Sequence, residues 1–119
     1  MQRGTIEINN DIVTVTPSPD GIVWMSPSEM ARLLGVFVPA VTNNIRAMYK
    51  AKTLYEEDTM CREDLSHGGF IDLYNLEMLV ALAFRVNSHH ARILRQWVVK
   101  RLLKSPVMYH LPISDTSIS

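Results

Sequence analysis

Glycine and proline restrict backbone geometry more than any other residues, and residues 26–50, SPSEMARLLGVFVPAVTNNIRAMYK, place them where two short helices have to meet. Ser26 suits the N-cap of the first helix, Pro27 its first turn, and Glu29 closes a capping box from three residues on. Met30, Leu33 and Leu34 recur at helical spacing and give that helix one apolar face. Gly35 follows, where a chain leaving a helix turns through positive φ. Pro39 opens a second helix at a position where proline forfeits no hydrogen bond. The apolar stripe there is Val41, Ile45 and Met48, while Asn43, Asn44, Arg46 and Lys50 stay polar or basic. Ala31, then Gly35, then Val41 fall at helix-turn-helix spacing, in which the small alanine lets the two helices approach closely. A helical hairpin used only for packing would carry the same residues.

The rest of the chain must supply what covers these two helices. With 119 residues, 47% of them hydrophobic and 20% charged, it suffices for one core and is too apolar for wholesale disorder. The single cysteine, Cys61, excludes an internal disulfide and reads as a half-buried strand residue. No apolar run reaches about 18 residues and the first residues lack a signal core, so a cytoplasmic protein without membrane contact is expected. Twelve basic residues balance twelve acidic ones, which by itself disfavours a dedicated nucleic-acid binder. The charges are segregated, however. Glu56, Glu57, Asp58, Glu63 and Asp64 crowd one stretch, whereas residues 85–104 hold Arg85, Arg92, Arg95, Lys100, Arg101 and Lys104 and no acid.

Taken in order, the chain begins with Ile6 and Ile8 alternating with polar residues, an Asn10-Asp11 turn and a β-branched run over 12–16, which predicts a hairpin. Residues 17–21 are a breaker cluster whose Asp20-Gly21 reads as a second turn, followed by a short strand over 22–25. After Lys50 the chain is expected to run over the surface to strands at 59–62 and 70–74, joined through Gly68-Gly69. A hairpin after the second helix occupies the place of a wing, with Ser66 and His67 at its tip. Asn75 caps a helix through about Val86, with Leu76, Leu79, Val80, Ala83 and Phe84 as its buried face. Ser88 caps a last helix to about Lys104, with Ala91, Leu94, Val98 and Leu102 along one side. Residues 105–119 read as a flexible tail. The expected fold is α+β: a winged helix-turn-helix-like domain over 1–104, with an N-terminal β-hairpin and two C-terminal helices.

The C-terminal half resembles the virulence protein RhuM family. Tyr74-Asn75-Leu76, a hydrophobic helix, Phe84-Arg85-Val86-Asn87-Ser88 and a basic helix with Arg95 and Trp97 match that family's pattern, and the upstream MSPSEMARLLGV is similar to its helix-turn-helix-like segment. The likeness spans roughly residues 21–104. A weaker likeness, in Trp97-Val98 within a basic helix, is to the BRO N-terminal domains of phage and viral antirepressors. The resemblance implies a DNA-binding regulator of transcription from a bacterial mobile element or pathogenicity region, in a family whose members are usually longer. One departure is Phe37-Val38, where the family commonly carries a serine or a basic residue.

These readings lead to two functions of different kinds. In the first, the second helix, about residues 39–49, enters the major groove of double-stranded DNA. Thr42, Asn43 and Arg46 would face base edges with Asn44 also at the DNA, Lys50, Arg92 and Arg95 would meet phosphates, and His67 would touch sugar or phosphate, in a two-fold dimer. In the second, Phe37 and Val38 make the same surface a docking site for a protein partner. Arg85 and Asn87 are explained structurally, as a cation at a helix C-terminus and as a partner for backbone groups at a sharp break. No enzyme chemistry is expected. Adjacent His89 and His90 project about 100° apart on a helix and chelate one metal poorly, and no set of nucleophile, base and orienting group can be named. No metal, cofactor or catalytic residue is assigned.

Overall fold

Asn10 and Asp11 both adopt left-handed φ, 51° and 62°, the geometry of a two-residue type I′ turn whose twist suits the strands it joins. They connect β1 (Thr5–Asn9) to β2 (Ile12–Thr16) in antiparallel register, with Asn9 opposite Ile12 and Ile6 opposite Val15. Ile6 is buried, and Ile8, Val13 and Val15 are half-buried beside it, so the alternation expected from the sequence places one face on the core. The structure, a computed structural model, describes residues 3–104; the tail expected over 105–119 lies outside them.

The segment 22–25 is not the strand expected. Gly21 N–H donates to Ser18 O at 2.8 Å, so Asp20-Gly21 does turn the chain, but within a loop rather than between two strands. Trp24 N–H donates to Arg3 O, and Met25 forms a single two-bond bridge with Tyr74, at 2.8 Å each way. This short connector touches both hairpins, one residue to each, and that leaves no length for a ladder.

Helix α1 (Pro27–Leu34) forms as its sequence dictates. Ser26 Oγ accepts from Glu29 N–H at 3.2 Å, the Glu29 carboxylate accepts from Ser26 N–H at 2.8 Å, and Gly35 closes the helix at φ 70°. Met30, Ala31 and Leu34 are buried, and each large side chain so removed from water contributes about 1.5–3 kcal/mol. After the turn at 35–37, α2 (Val38–Lys50) buries Val41, Ile45 and Met48. Phe37 stands at its N-cap without a side-chain hydrogen bond.

The expected surface run after α2 contains a short helix instead, α3 (Glu56–Thr59). Thr59 is fully buried; its hydroxyl donates to Tyr55 O at 2.7 Å and therefore accepts from Tyr49 OH at 2.8 Å. Strand β3 (Met60–Asp64) begins one residue later than expected and pairs antiparallel with β4 (Phe70–Tyr74), around a turn carrying Gly68-Gly69. Asn75 ties the junction together, its amide donating to Asp58 O and its side-chain oxygen accepting from Met78 N–H.

Helix α4 (Leu76–Ala83) packs on α2 and α5 (His89–Lys104). It stops three residues short of the expected Val86, and its buried face is Met78, Leu79, Leu82 and Ala83. Leu76 and Val80 are only half-buried and Phe84 is 57% exposed, because α4 is wedged between two helices and turns a different stripe inward. Helix α5 contacts α1, α4 and β2 through its first turns, with Ala91, Ile93 and Leu94 buried. Beyond Trp97 it leaves the core, and Leu102, expected inside, is 66% exposed. Both α4 and α5 cover the α1–α2 pair, where the sequence assigned that task to the first alone. Among the described residues the chain is thus an α+β domain with two two-stranded antiparallel sheets and five helices.

Candidate nucleic-acid interface

The outer face of α2 is built by exclusion. Val41, Ile45 and Met48 fix the inward direction, so Asn43, Arg46 and Lys50 project outward at spacings of three and four and are all exposed. The Arg46 guanidinium donates to Asn43 Oδ1 at 3.0 Å, which joins two of the expected residues into one unit. Thr42 is half-buried and its hydroxyl donates back to Val38 O at 3.3 Å. No acidic side chain lies on α2.

Asn44 is otherwise engaged. Its amide donates to Ala40 O at 2.7 Å and its oxygen accepts from Arg85 Nε at 2.9 Å, so both polar ends are occupied. Arg85, read from sequence as a helix-end cation, is thereby drawn onto the flank of α2. The two residues are 41 apart in the chain, and no local pattern signals their pairing.

The expected phosphate contacts divide. Lys50 is exposed at the C-terminal end of α2, His67 is exposed in the β3–β4 turn, and Arg92 is exposed on α5. Arg95 serves the fold: its guanidinium donates to Ala83 O at 2.6 Å and Val86 O at 3.2 Å, capping the end of α4. The backbone at that break was expected to be served by Asn87, which is exposed and makes no such bond among the described residues.

Between α2 and the β3–β4 hairpin lies a cleft of about 470 Å³, whose walls include Ile45, Arg46, Tyr49, Phe70, Asp72 and Tyr74. Arg62 faces Asp72 across the hairpin, bonds it at 2.8 Å and stacks 3.9 Å over the Phe70 ring. Burial, then the neighbouring Tyr49, Asp72 and Glu56, push the Tyr74 phenol up to about 12. Burial also raises Tyr49, against its bond with Thr59, with Glu56 and Asp72 adding to it. The cleft thus sets Arg46 opposite Glu56 and Asp72, with Asp72 already paired to Arg62.

Phe37 is 87% exposed and Val38 39%, so the turn ahead of α2 is an uncovered apolar step. Cys61 is half-buried on β3; burial and then Glu63 raise its thiol pKa. His89 and His90 diverge as expected, His89 Nε2 bonding Asp11 Oδ1 and His90 Nδ1 bonding Leu33 O, each at 3.0 Å. No group of three or more metal-ligating side chains occurs among the described residues, and no helix there is long and apolar enough to cross a membrane. Compared with protein-family models, curated proteins and solved structures, the chain matches none.

Proposed function

We propose that this chain is a DNA-binding regulatory domain of the winged helix-turn-helix kind, with α2 as the recognition helix in the major groove and the β3–β4 hairpin as the wing. The observation that carries this reading is the outward row Asn43, Arg46 and Lys50 on an acid-free helix whose other side is wholly committed to the core. Asparagine and arginine are the side chains that read adenine and guanine edges bidentately, and Lys50 is suited to a phosphate. The Met25–Tyr74 bridge supports the wing, because it ties β4 to the residue just before the cap of α1 and so fixes the hairpin relative to α2. Thr42 flanks the reading row, while Arg85, held by Asn44, takes the place of Arg95 as the cation beside it. The resemblance to the RhuM family points to the same use. A small module gives modest affinity alone, so the bound form is a two-fold dimer.

The test is fluorescence anisotropy of labelled duplex DNA between about 50 and 200 mM salt, where phosphate contacts make binding fall steeply. Arg46→Ala is expected to weaken binding by about 1–3 kcal/mol and to relax sequence preference, and Lys50→Ala to lower the salt slope by about one. A wild-type chain with no anisotropy change at the lower salt would remove the reading. A second reading rests on Phe37: with 87% of it in solvent, the start of α2 is suited to dock a protein. DNA binding that survives Phe37→Ser but fails with Arg46→Ala favours the first reading over the second.

A further inference from the structure

Among the described residues no strand covers the outer edge of β1. In a hairpin closed by a two-residue turn the flanking residues, Asn9 and Ile12, form a hydrogen-bonded pair, and bonded pairs alternate along the ladder. Glu7–Thr14 and Thr5–Thr16 are then bonded, and the N–H and C=O groups of Ile6 and Ile8 point away from β2. None of these four groups has a hydrogen-bond partner among the described residues. Ile6 is only 6% exposed, so its edge groups are sheltered as well as unpaired, a combination native proteins seldom leave standing.

What these groups face is a groove of about 770 Å³. Residues 3–9 line it without a gap. A pocket under one face of a strand is lined by alternate residues; unbroken lining means that the groove runs along the backbone edge. The opposite wall is α1, through Glu29, Arg32 and Leu33, with His90 from α5. Both ends are fastened. Arg3 grips the Glu29 carboxylate with two bonds, at 2.7 and 3.0 Å, and His89 bonds Asp11 in the hairpin turn at 3.0 Å.

We infer that this groove binds one extended segment of another polypeptide, which adds to β1 as a third strand and satisfies the Ile6 and Ile8 backbone groups. The surroundings specify that segment. Its inward side chains lie beside Ile6 and Ile8 near Met25 and Leu33 and are apolar. Its outward side chain next to Glu7 is basic, because Glu7 is exposed and among the described residues is bonded only by the Asn9 amide, at 3.4 Å. Arg32, exposed on the far wall, supplies donors for carbonyls on the segment's second edge. A second copy of β1 does not fit this description. It brings its own β2 into the space held by α1, and pairing centred on Glu7 sets two carboxylates face to face.

The probe is acetyl-Val-Lys-Val-Lys-Val-amide, titrated into the full chain and followed by amide hydrogen exchange and two-dimensional NMR. Slowed exchange at Ile6 and Ile8 is expected, with little change at Thr5, Glu7 and Asn9, which are already bonded to β2. Replacing both lysines by glutamate is expected to weaken binding by up to about fivefold per charge, and Glu7→Lys to reverse that preference. A peptide N-methylated on the edge facing β1 is expected not to bind. Equal binding by the methylated peptide, or no protection at Ile6 and Ile8 at the peptide's solubility limit, overturns the proposal. So does protection of both amides in the chain alone. Dependence on protein concentration would then assign the groove to a second copy, and independence of it to residues of the same chain.

Discussion

Replacing Gly4 by alanine separates two costs that glycine positions usually mix. Gly4 and Gly35 have nearly the same left-handed backbone, φ 67° and 70°, so alanine at either incurs about 1–2 kcal/mol for the conformation alone. Their surroundings differ. A Cβ at Gly35 meets nothing within 4 Å, whereas one at Gly4 lies 2.8 Å from Ser18 N and 2.9 Å from both Ile22 O and Thr16 O. Those three atoms are backbone and cannot rotate aside. Moving them disturbs the Ser18 N–H···Ile22 O bond of 3.2 Å and the Ser18 hydroxyl bond to the same carbonyl, 2.8 Å, at about 1 kcal/mol each. Gly4→Ala is therefore expected to cost about 3–4 kcal/mol, and Gly35→Ala about 1–2 kcal/mol. Equilibrium unfolding in urea reads both, with an unchanged slope confirming that the unfolded state is the same. A Gly4→Ala variant no less stable than Gly35→Ala would refute the close approach of the hairpin base to the 16–22 loop.

Three further outcomes follow from side-chain geometry. Arg95→Ala leaves Ala83 O and Val86 O without their charged donor and is expected to cost about 2 kcal/mol in urea unfolding. Burial alone would raise the Glu29 carboxyl, but the Ser26 N–H and the Arg3 guanidinium outweigh it and hold it below the usual range. Its contribution is thus complete above the ordinary glutamate pKa and is lost as pH falls through the depressed value, so Glu29→Gln is expected to flatten the acid limb of a stability–pH curve. For Tyr74 the sign is opposite. With its phenol pushed up to about 12, its stabilisation is whole below the ordinary tyrosine pKa and is lost as pH rises towards that value. Tyr74→Phe is expected to shift alkaline unfolding, followed by phenolate absorbance, to higher pH.

Where local chemistry decides structure, the sequence was readable. The Ser26–Glu29 box, the Asn10-Asp11 turn, the Gly35 cap and the Asn75 and Ser88 caps each depend on neighbours within four residues, and each formed where expected. The misses depend on distant partners. Helix α3 holds three acids in four residues, and its one buried side chain, Thr59, is pinned by Tyr49 from α2. The stripe on α4 was misphased because nearly every side chain there is apolar, so periodicity cannot choose an inward direction. Among candidate site residues the outward direction of Asn43, Arg46 and Lys50 followed from the α2 stripe. The engagement of Asn44 by Arg85 and of Arg95 by α4 could not, since each needs the packed arrangement of helices.

Ser88 shows how tightly that arrangement is knotted at one atom. Its hydroxyl donates to Leu34 O at 2.6 Å and accepts from Ala91 N–H at 3.1 Å, so a single oxygen both finishes α1 and starts α5, 54 residues later. Neither helix end can fray without releasing the other. In native-state exchange the last turn of α1 and the first turn of α5 are therefore expected to open as one unit, although they lie far apart in the chain.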